Sequence, residues 1–353
     1  MELKELGYKE WFRERANESL TSEYNIVRVT AVNKDSYIIR NEETEIPAEI
    51  TGKLRYGAES PLDFPAVGDW VYAQYFDDNT FAIIHDILPR KSILKRKAAG
   101  KKIDYQLIAS NIDTAFIVQS LDVDFNIRRL ERYLVMVNES NIKPVILLSK
   151  VDLISQDILK QRISEINNVQ QENEIFIFSN VTGDGLKEIK EYIKSGETYC
   201  LLGSSGVGKT TLLNSLIGED VYETSTVREK DGKGKHKTSR RQLIALEQGG
   251  LIIDTPGMRE LGNIEISEGM KEIFSDIIAL TQDCHFNDCT HTNEPGCKVL
   301  EAIEKGELDS KRYKSYLKLL RESEYNRMSY LKKRIKDREF GKMVKEVMKY
   351  KNK

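Results

Sequence analysis

The segment Gly203-Ser204-Ser205-Gly206-Val207-Gly208-Lys209-Thr210 has the spacing G-x-x-x-x-G-K-T, with Thr211 directly after it. Residues of these types in this order make an anion site. The glycines let the backbone turn so that consecutive N–H groups point inward. A helix following the loop adds the positive end of its dipole. Lys209 would then reach the β and γ phosphates of a nucleotide, and the Thr210 hydroxyl would bind Mg²⁺. The flanks suit this use: Thr198-Tyr-Cys-Leu-Leu202 reads as a short buried strand and residues 212–217 as the start of a helix. Such a loop serves ATP, GTP and kinase chemistry alike.

Asp254-Thr255-Pro256-Gly257 narrows the choice. An aspartate closing an apolar strand downstream of a phosphate loop can hold Mg²⁺ through water, and the Gly257 N–H can sense a γ-phosphate. Base selection falls to Ser149-Lys150-Val151-Asp152, which follows the apolar run 145–148. The guanine-reading pattern is N-K-x-D. Its carboxylate accepts from N1–H and from the 2-amino group of guanine, donors adenine lacks, while the lysine stem packs on the base. Here Lys150 and Asp152 are present and Ser149 stands for asparagine. Ser179-Asn180 begins the expected second base loop.

A separate group, Cys284-x₄-Cys289-x-His291-x₅-Cys297, offers three thiolates and one imidazole, a full tetrahedral set for one structural zinc ion. His285 is the alternative imidazole. Cys200, in an apolar run, reads as core.

The elements around these residues fall into stages. Residues 1–22 are a helical lead-in with Leu6, Trp11 and Phe12 as anchors. Residues 23–100 hold five short alternating runs at 25–32, 36–40, 45–50, 69–75 and 80–85, a pattern that predicts an OB-type β-barrel and a basic linker. That linker, 90–102, carries seven basic residues in thirteen and no acid. Residues 101–263 alternate strand and helix, as a mostly parallel α/β sheet does, with ligands at the carboxyl ends of its strands. Residues 264–353 are a mostly helical metal-binding domain with a basic tail, ten basic and three acidic residues over 331–353. With the basic loop near 228–241 this makes three basic patches on a chain of net charge −2, which favours RNA phosphates as a partner over a solvated surface. No apolar run approaches the roughly 18 residues of a membrane span, and Met-Glu-Leu-Lys-Glu-Leu lacks a signal peptide's apolar core. A cytoplasmic monomer without membrane contact is expected.

The order is unusual: base motifs at 149 and 179, phosphate loop at 203, a threonine-containing loop near 238, Asp254 last. The chain resembles the circularly permuted, ribosome small-subunit-dependent GTPase A family. The features that carry the resemblance are Arg128-Arg-Leu-Glu-Arg-Tyr-Leu134, 203–211, Asp254-Thr-Pro-Gly-Met-Arg-Glu260, the cysteine cluster and the order of parts, over residues 25 to 353. The resemblance implies a GTP hydrolase that acts on the small ribosomal subunit late in its maturation and is stimulated by it, with zinc and magnesium as ions. It also implies His236 as the group that orients water, since Met258 stands where many GTPases carry glutamine. Thr238, with Ser239 beside it, matches the switch threonine that joins Thr210 and Asp254 at magnesium. Departures are Ser149, Asn180 and Lys237. The alternative reading is an RNA-binding assembly factor in which nucleotide only switches conformation; a P-loop kinase or ATPase would need adenine.

Overall fold

The computed structural model describes residues 2–33, 36–97, 105–169, 173–219, 241–254, 268–286 and 288–327. A short lead-in comes first, α1 (Glu10–Arg13) and α2 (Glu18–Glu23), the latter capped by the Asn17 side chain. Leu6 and Phe12 are buried as anchors, Trp11 only partly so, and Tyr8 meets Trp70 edge to face.

Five strands follow: β1 (Asn25–Val32), β2 (Tyr37–Arg40), β3 (Glu45–Ile50), β4 (Trp70–Phe76) and β5 (Phe81–Ile87), with α3 (Gly52–Gly57) after β3. They pair in the closed order β1-β2-β3-β5-β4-β1, only the β3–β5 pair being parallel. Alternation turns Val27, Val29, Ile39, Ile46, Val71 and Ile84 into the barrel core.

The basic stretch after the barrel is more structured than a linker. It enters a two-stranded ladder of β6 (Ile93–Lys97) with β7 (Tyr105–Ser110). Arg90 is held on the buried Asp69 carboxylate at 2.7 Å and on the carbonyls of Leu62 and Phe64. Lys91 pairs with Asp113 at 3.0 Å. Two of the seven basic residues are therefore engaged inside the fold. Lys95, Arg96 and Lys97 lie in β6; residues 98–104, with Lys101 and Lys102 of that patch, lie outside the described residues, as do the 228–240 loop and the tail.

The α/β part runs β8 (Thr114–Ser120), α4 (Ile127–Glu139), β9 (Lys143–Ser149), α5 (Gln156–Asn167), β10 (Glu174–Ile177), α6 (Leu186–Tyr192), β11 (Thr198–Leu202), α7 (Lys209–Ile217), β12 (Gln242–Ala245) and β13 (Leu251–Asp254). The sheet order is β10-β9-β8-β11-β13-β12; β12 alone is antiparallel to its neighbour β13. The chain leaves the central pair β8/β11 in opposite directions, so the crevice at their carboxyl ends is the switch point where α/β proteins bind ligands. Phe116, Val118, Val145, Leu147, Tyr199, Leu201 and Leu212 fill the core on one face, and α4 packs on β8 and β9. A fully buried side chain of this size contributes about 1.5–3 kcal/mol and an exposed ion pair about 0–1 kcal/mol, so these apolar faces hold the sheet. Cys200 is buried in β11, and burial pushes its thiol up, as fits a core residue.

Barrel and sheet are continuous: β12 also pairs with β1, Ala31 opposite Gln242, and Gln242 is opposite Asp254 on β13. Both lie in one compact unit, Met1–Lys95 with Gln106–Leu261. A second unit, Arg96–Tyr105 with Gly262–Lys353, contains α8 (Glu268–Ile273), α9 (Ser275–Gln282), α10 (Lys298–Glu304) and α11 (Ser310–Arg327). Arg312 of α11 clasps Asp276 at 2.9 Å and the Ile273 carbonyl at 2.7 Å. No helix among the described residues is long and apolar enough to cross a membrane.

Candidate functional site

Gly203–Lys209 bends where only glycine fits. Gly203 has φ 145° and a Cβ there would lie 2.3 Å from the Val118 carbonyl oxygen; Gly208 has φ 95° and begins α7 with no side-chain cap. The first N–H groups of α7 therefore face the mouth of the loop, a positive pole built from backbone. The helix starts at Lys209, three residues before the apolar run that the sequence suggested. Lys209 Nζ donates to the carbonyls of Gly203 at 2.8 Å and Ser204 at 2.6 Å, which folds its charge over the loop. Ser205, Gly206 and Thr210 are exposed at this mouth, Thr211 is half-buried and Val207 is buried beneath.

Asp254 closes β13, next to β11. Burial pushes its carboxyl up, with Lys209 pulling the other way, so the two opposite charges sense each other across the crevice. His236, Thr238 and Gly257 lie outside the described residues.

The base loops, earlier in sequence, reach the phosphate loop in space. Ser149, buried at the end of β9, donates its hydroxyl to the Val207 carbonyl at 2.7 Å. Lys150 sits at φ 62° and its Nζ meets Asp122 Oδ2 at 2.7 Å. Burial alone would raise the Asp122 carboxyl; Lys150 and two local donors outweigh it and hold it below the usual range. Ser179 donates to Asp152 Oδ1 and accepts from the Val181 and Thr182 amides, which fixes one oxygen of the Asp152 carboxylate. Asn180 Nδ2 donates to the Gly208 carbonyl at 3.1 Å. Ser149, Lys150, Asp152, Ser179 and Asn180 thus stand at the carboxyl ends of β9 and β10, beside residues 203–211.

One contact was not legible in the sequence. Arg129, in the first turn of α4, donates from Nη1 to the Ser204 hydroxyl at 2.7 Å. The Arg-Arg-Leu-Glu-Arg string gave it prominence but no partner.

In the second unit the Sγ or ring-nitrogen atoms of Cys284, Cys289, His291 and Cys297 all lie within 4.8 Å of one another. His291 Nδ1 is 3.5 Å from both Cys284 Sγ and Cys297 Sγ, and those two sulfurs are 4.0 Å apart. Bonds of about 2.3 Å to a tetrahedral ion set sulfurs about 3.8 Å apart, so the set fits one metal ion. The His285 ring instead makes an edge contact with Phe286, and its backbone N–H donates to the Gly296 carbonyl at 3.2 Å. His291 has φ 57°, its carbonyl accepts from Tyr313 Oη at 2.6 Å, and burial lowers its pKa, which keeps the imidazole neutral for ligation. Desolvation and the two neighbouring thiols push the Cys289 thiol up to about 11; a bound cation reverses that.

The family model for the RsgA GTPase matches residues 87–264. A protein of Lactiplantibacillus plantarum named small ribosomal subunit biogenesis GTPase RsgA 2 is 46% identical over 299 residues, covering 84% of this chain and 83% of its own. Its namesake in Vibrio parahaemolyticus is 39% identical over 355 residues, covering 99% and 94%. The chain belongs to the RsgA GTPase family. The crystal structure of YjeQ from Thermotoga maritima superposes with a TM-score of 0.61 at 27% identity, covering 84% of this chain and 98% of that one. YloQ, described as a circularly permuted GTPase, shares the fold with a TM-score of 0.60 at 24% identity over 89% of this chain and all of its own. As an RsgA GTPase the chain is a P-loop enzyme of permuted order, with an N-terminal five-stranded barrel and C-terminal helices around a Cys₃His cluster.

Proposed function

We propose that this enzyme binds GTP across the joined base and phosphate loops and hydrolyses it on the small ribosomal subunit, late in that particle's maturation. The observation that carries the reading is the pair of ties from the upstream base loops to the phosphate loop, Ser149 to Val207 and Asn180 to Gly208; the subunit enters through the names its relatives bear. In this mechanism Asp152 accepts from N1–H and the 2-amino group of guanine, with Lys150 along the base. Gly203, Ser204, Ser205, Gly206, Val207, Gly208 and Thr211 surround the phosphates. Lys209 leaves its two carbonyl partners for the β and γ phosphates, neutralising charge that grows on them in the transition state.

Thr210, Thr238 and Asp254 hold the magnesium that accompanies GTP. A cation there would favour the Asp254 carboxylate against the burial that raises it. His236 orients the attacking water and Gly257 reports the γ-phosphate. Zinc fills the Cys₃His cluster as a structural ion, since all four positions are taken by protein. The basic segments contact rRNA phosphates, and the protein works as a cytoplasmic monomer.

Purified small subunits, added to the enzyme with GTP or ATP, test this. Subunit-stimulated release of phosphate from GTP and not from ATP is expected. GTP binding with turnover indifferent to subunits would instead favour a factor that nucleotide only switches, and equal use of ATP would contradict the base assignment.

A further inference from the structure

We propose that Asn180 is a positioning residue for the nucleotide, supplying from the second base loop the carboxamide that Ser149 lacks in the first. The inference rests on the guanine reading above. A hydroxyl has one proton to give, and a carboxamide two. Ser149 gives its proton to the Val207 carbonyl at 2.7 Å, so a second tie to the phosphate loop must come from another residue. Asn180 makes it, Nδ2 to the Gly208 carbonyl at 3.1 Å. These two carbonyls are consecutive, and Gly208 is the residue from which α7 starts.

The approach depends on both partners. A Cβ on Gly208 would lie 2.6 Å from Asn180 Nδ2, so the amide occupies space that only glycine leaves open. Asn180 Oδ1 is buried and has no hydrogen-bond partner among the described residues. The bond to the phosphate loop is therefore the only described hydrogen bond of this side chain, and it sets which end of the amide faces the carbonyl. Asn180 also follows Ser179, which orients the Asp152 carboxylate. Through Ser179 and Asn180 one dipeptide aligns the base-reading acid with the start of the phosphate-binding helix. An error between these two halves of the site costs affinity, because one ligand must satisfy both.

The test uses the full-length chain, a fluorescent GDP analogue with competition by GDP and ADP, and unfolding temperatures without nucleotide. Asn180→Ala is expected to weaken GDP binding about ten-fold, the equivalent of one hydrogen bond, with the nucleotide-free unfolding temperature lowered by no more than about 4 °C. Asn180→Asp, of the same size, sets an acceptor against the Gly208 carbonyl and is expected to weaken binding further. Ser149→Asn added to Asn180→Ala is expected to restore affinity to within about three-fold of wild type, since the carboxamide is returned to the first loop. A GDP-selective wild type with Asn180→Ala binding within about two-fold of it overturns the inference, as does an Asn180→Asp that binds no worse than Asn180→Ala, or a double variant with no recovery. A wild type that binds ADP as well as GDP overturns the guanine reading and this inference with it.

Discussion

The metal cluster and the nucleotide site are assembled in opposite ways. The cluster draws four groups that could hold one metal ion from fourteen consecutive residues, 284 to 297, in a loop between α9 and α10. The nucleotide crevice takes Ser149 and Asn180 from two strand ends and sets them on Val207 and Gly208, with Asp254 on a third strand and Arg129 on a helix. A cluster built from local spacing stands or falls with its ion. A crevice built from a sheet keeps its frame through apolar packing and loses function piece by piece.

The largest effect expected from this contrast is on metal removal. Chelation, or Cys289→Ser, should melt the helices after 268, because structural zinc contributes about 10–16 kcal/mol to small metal domains; far-UV circular dichroism with metal analysis reads it. Retention of GDP binding by the chelated protein would show the sheet's independence, and its loss would break the contrast. Next comes Lys209→Ala, expected to lower GTP turnover by about 10²–10³-fold, as loss of a main transition-state donor does, with the unfolding temperature held. A variant that unfolds instead would mean that the lysine's bonds to Gly203 and Ser204 carry the loop.

Asp113→Asn is smaller. Asp113 takes Lys9 at 2.9 Å, Lys91 at 3.0 Å and the Thr198 amide at 2.9 Å, at the foot of the strand leading to the phosphate loop. Burial alone would raise its carboxyl, and these partners outweigh burial and hold it below its ordinary 3.8. A depressed carboxyl stabilises the fold fully above that value and less as pH falls through its folded value. The variant should be less stable by about 2 kcal/mol at pH 7, with the deficit shrinking below about pH 4; denaturant midpoints at both pH values check this. Arg129→Ala should cost least, about 1 kcal/mol in GTP affinity, since it loosens Ser204 alone; nucleotide titration measures it.

How much of this the sequence disclosed follows the same division. Local spacing was enough to bring out the Cys₃His cluster, the glycine-rich loop pattern and the five barrel strands, because turn residues and alternation act over a few positions. The cluster's choice of His291 over His285 needed the backbone, where His291 turns at φ 57°. Arg90 read as part of a basic patch because charge is visible in sequence, while its carboxylate, Asp69, is brought to it by the barrel. Arg129 had no sign of Ser204, 75 positions away. In the sequence Asp254 reads as a magnesium ligand at a strand end. The sheet adds a connection to the barrel, since Asp254, Gln242 and Ala31 stand side by side on three adjacent strands, the last in the barrel.

The central claim is that base loops lying ahead of the phosphate loop in the chain form one guanine site with it. Asp152→Asn tests this most directly. An asparagine there can donate to a 2-oxo group, and no longer offers guanine two acceptors. Equilibrium titration with GDP and with xanthosine diphosphate is predicted to show GDP affinity lost and xanthosine diphosphate affinity gained. Unchanged GDP affinity in the variant would contradict the account.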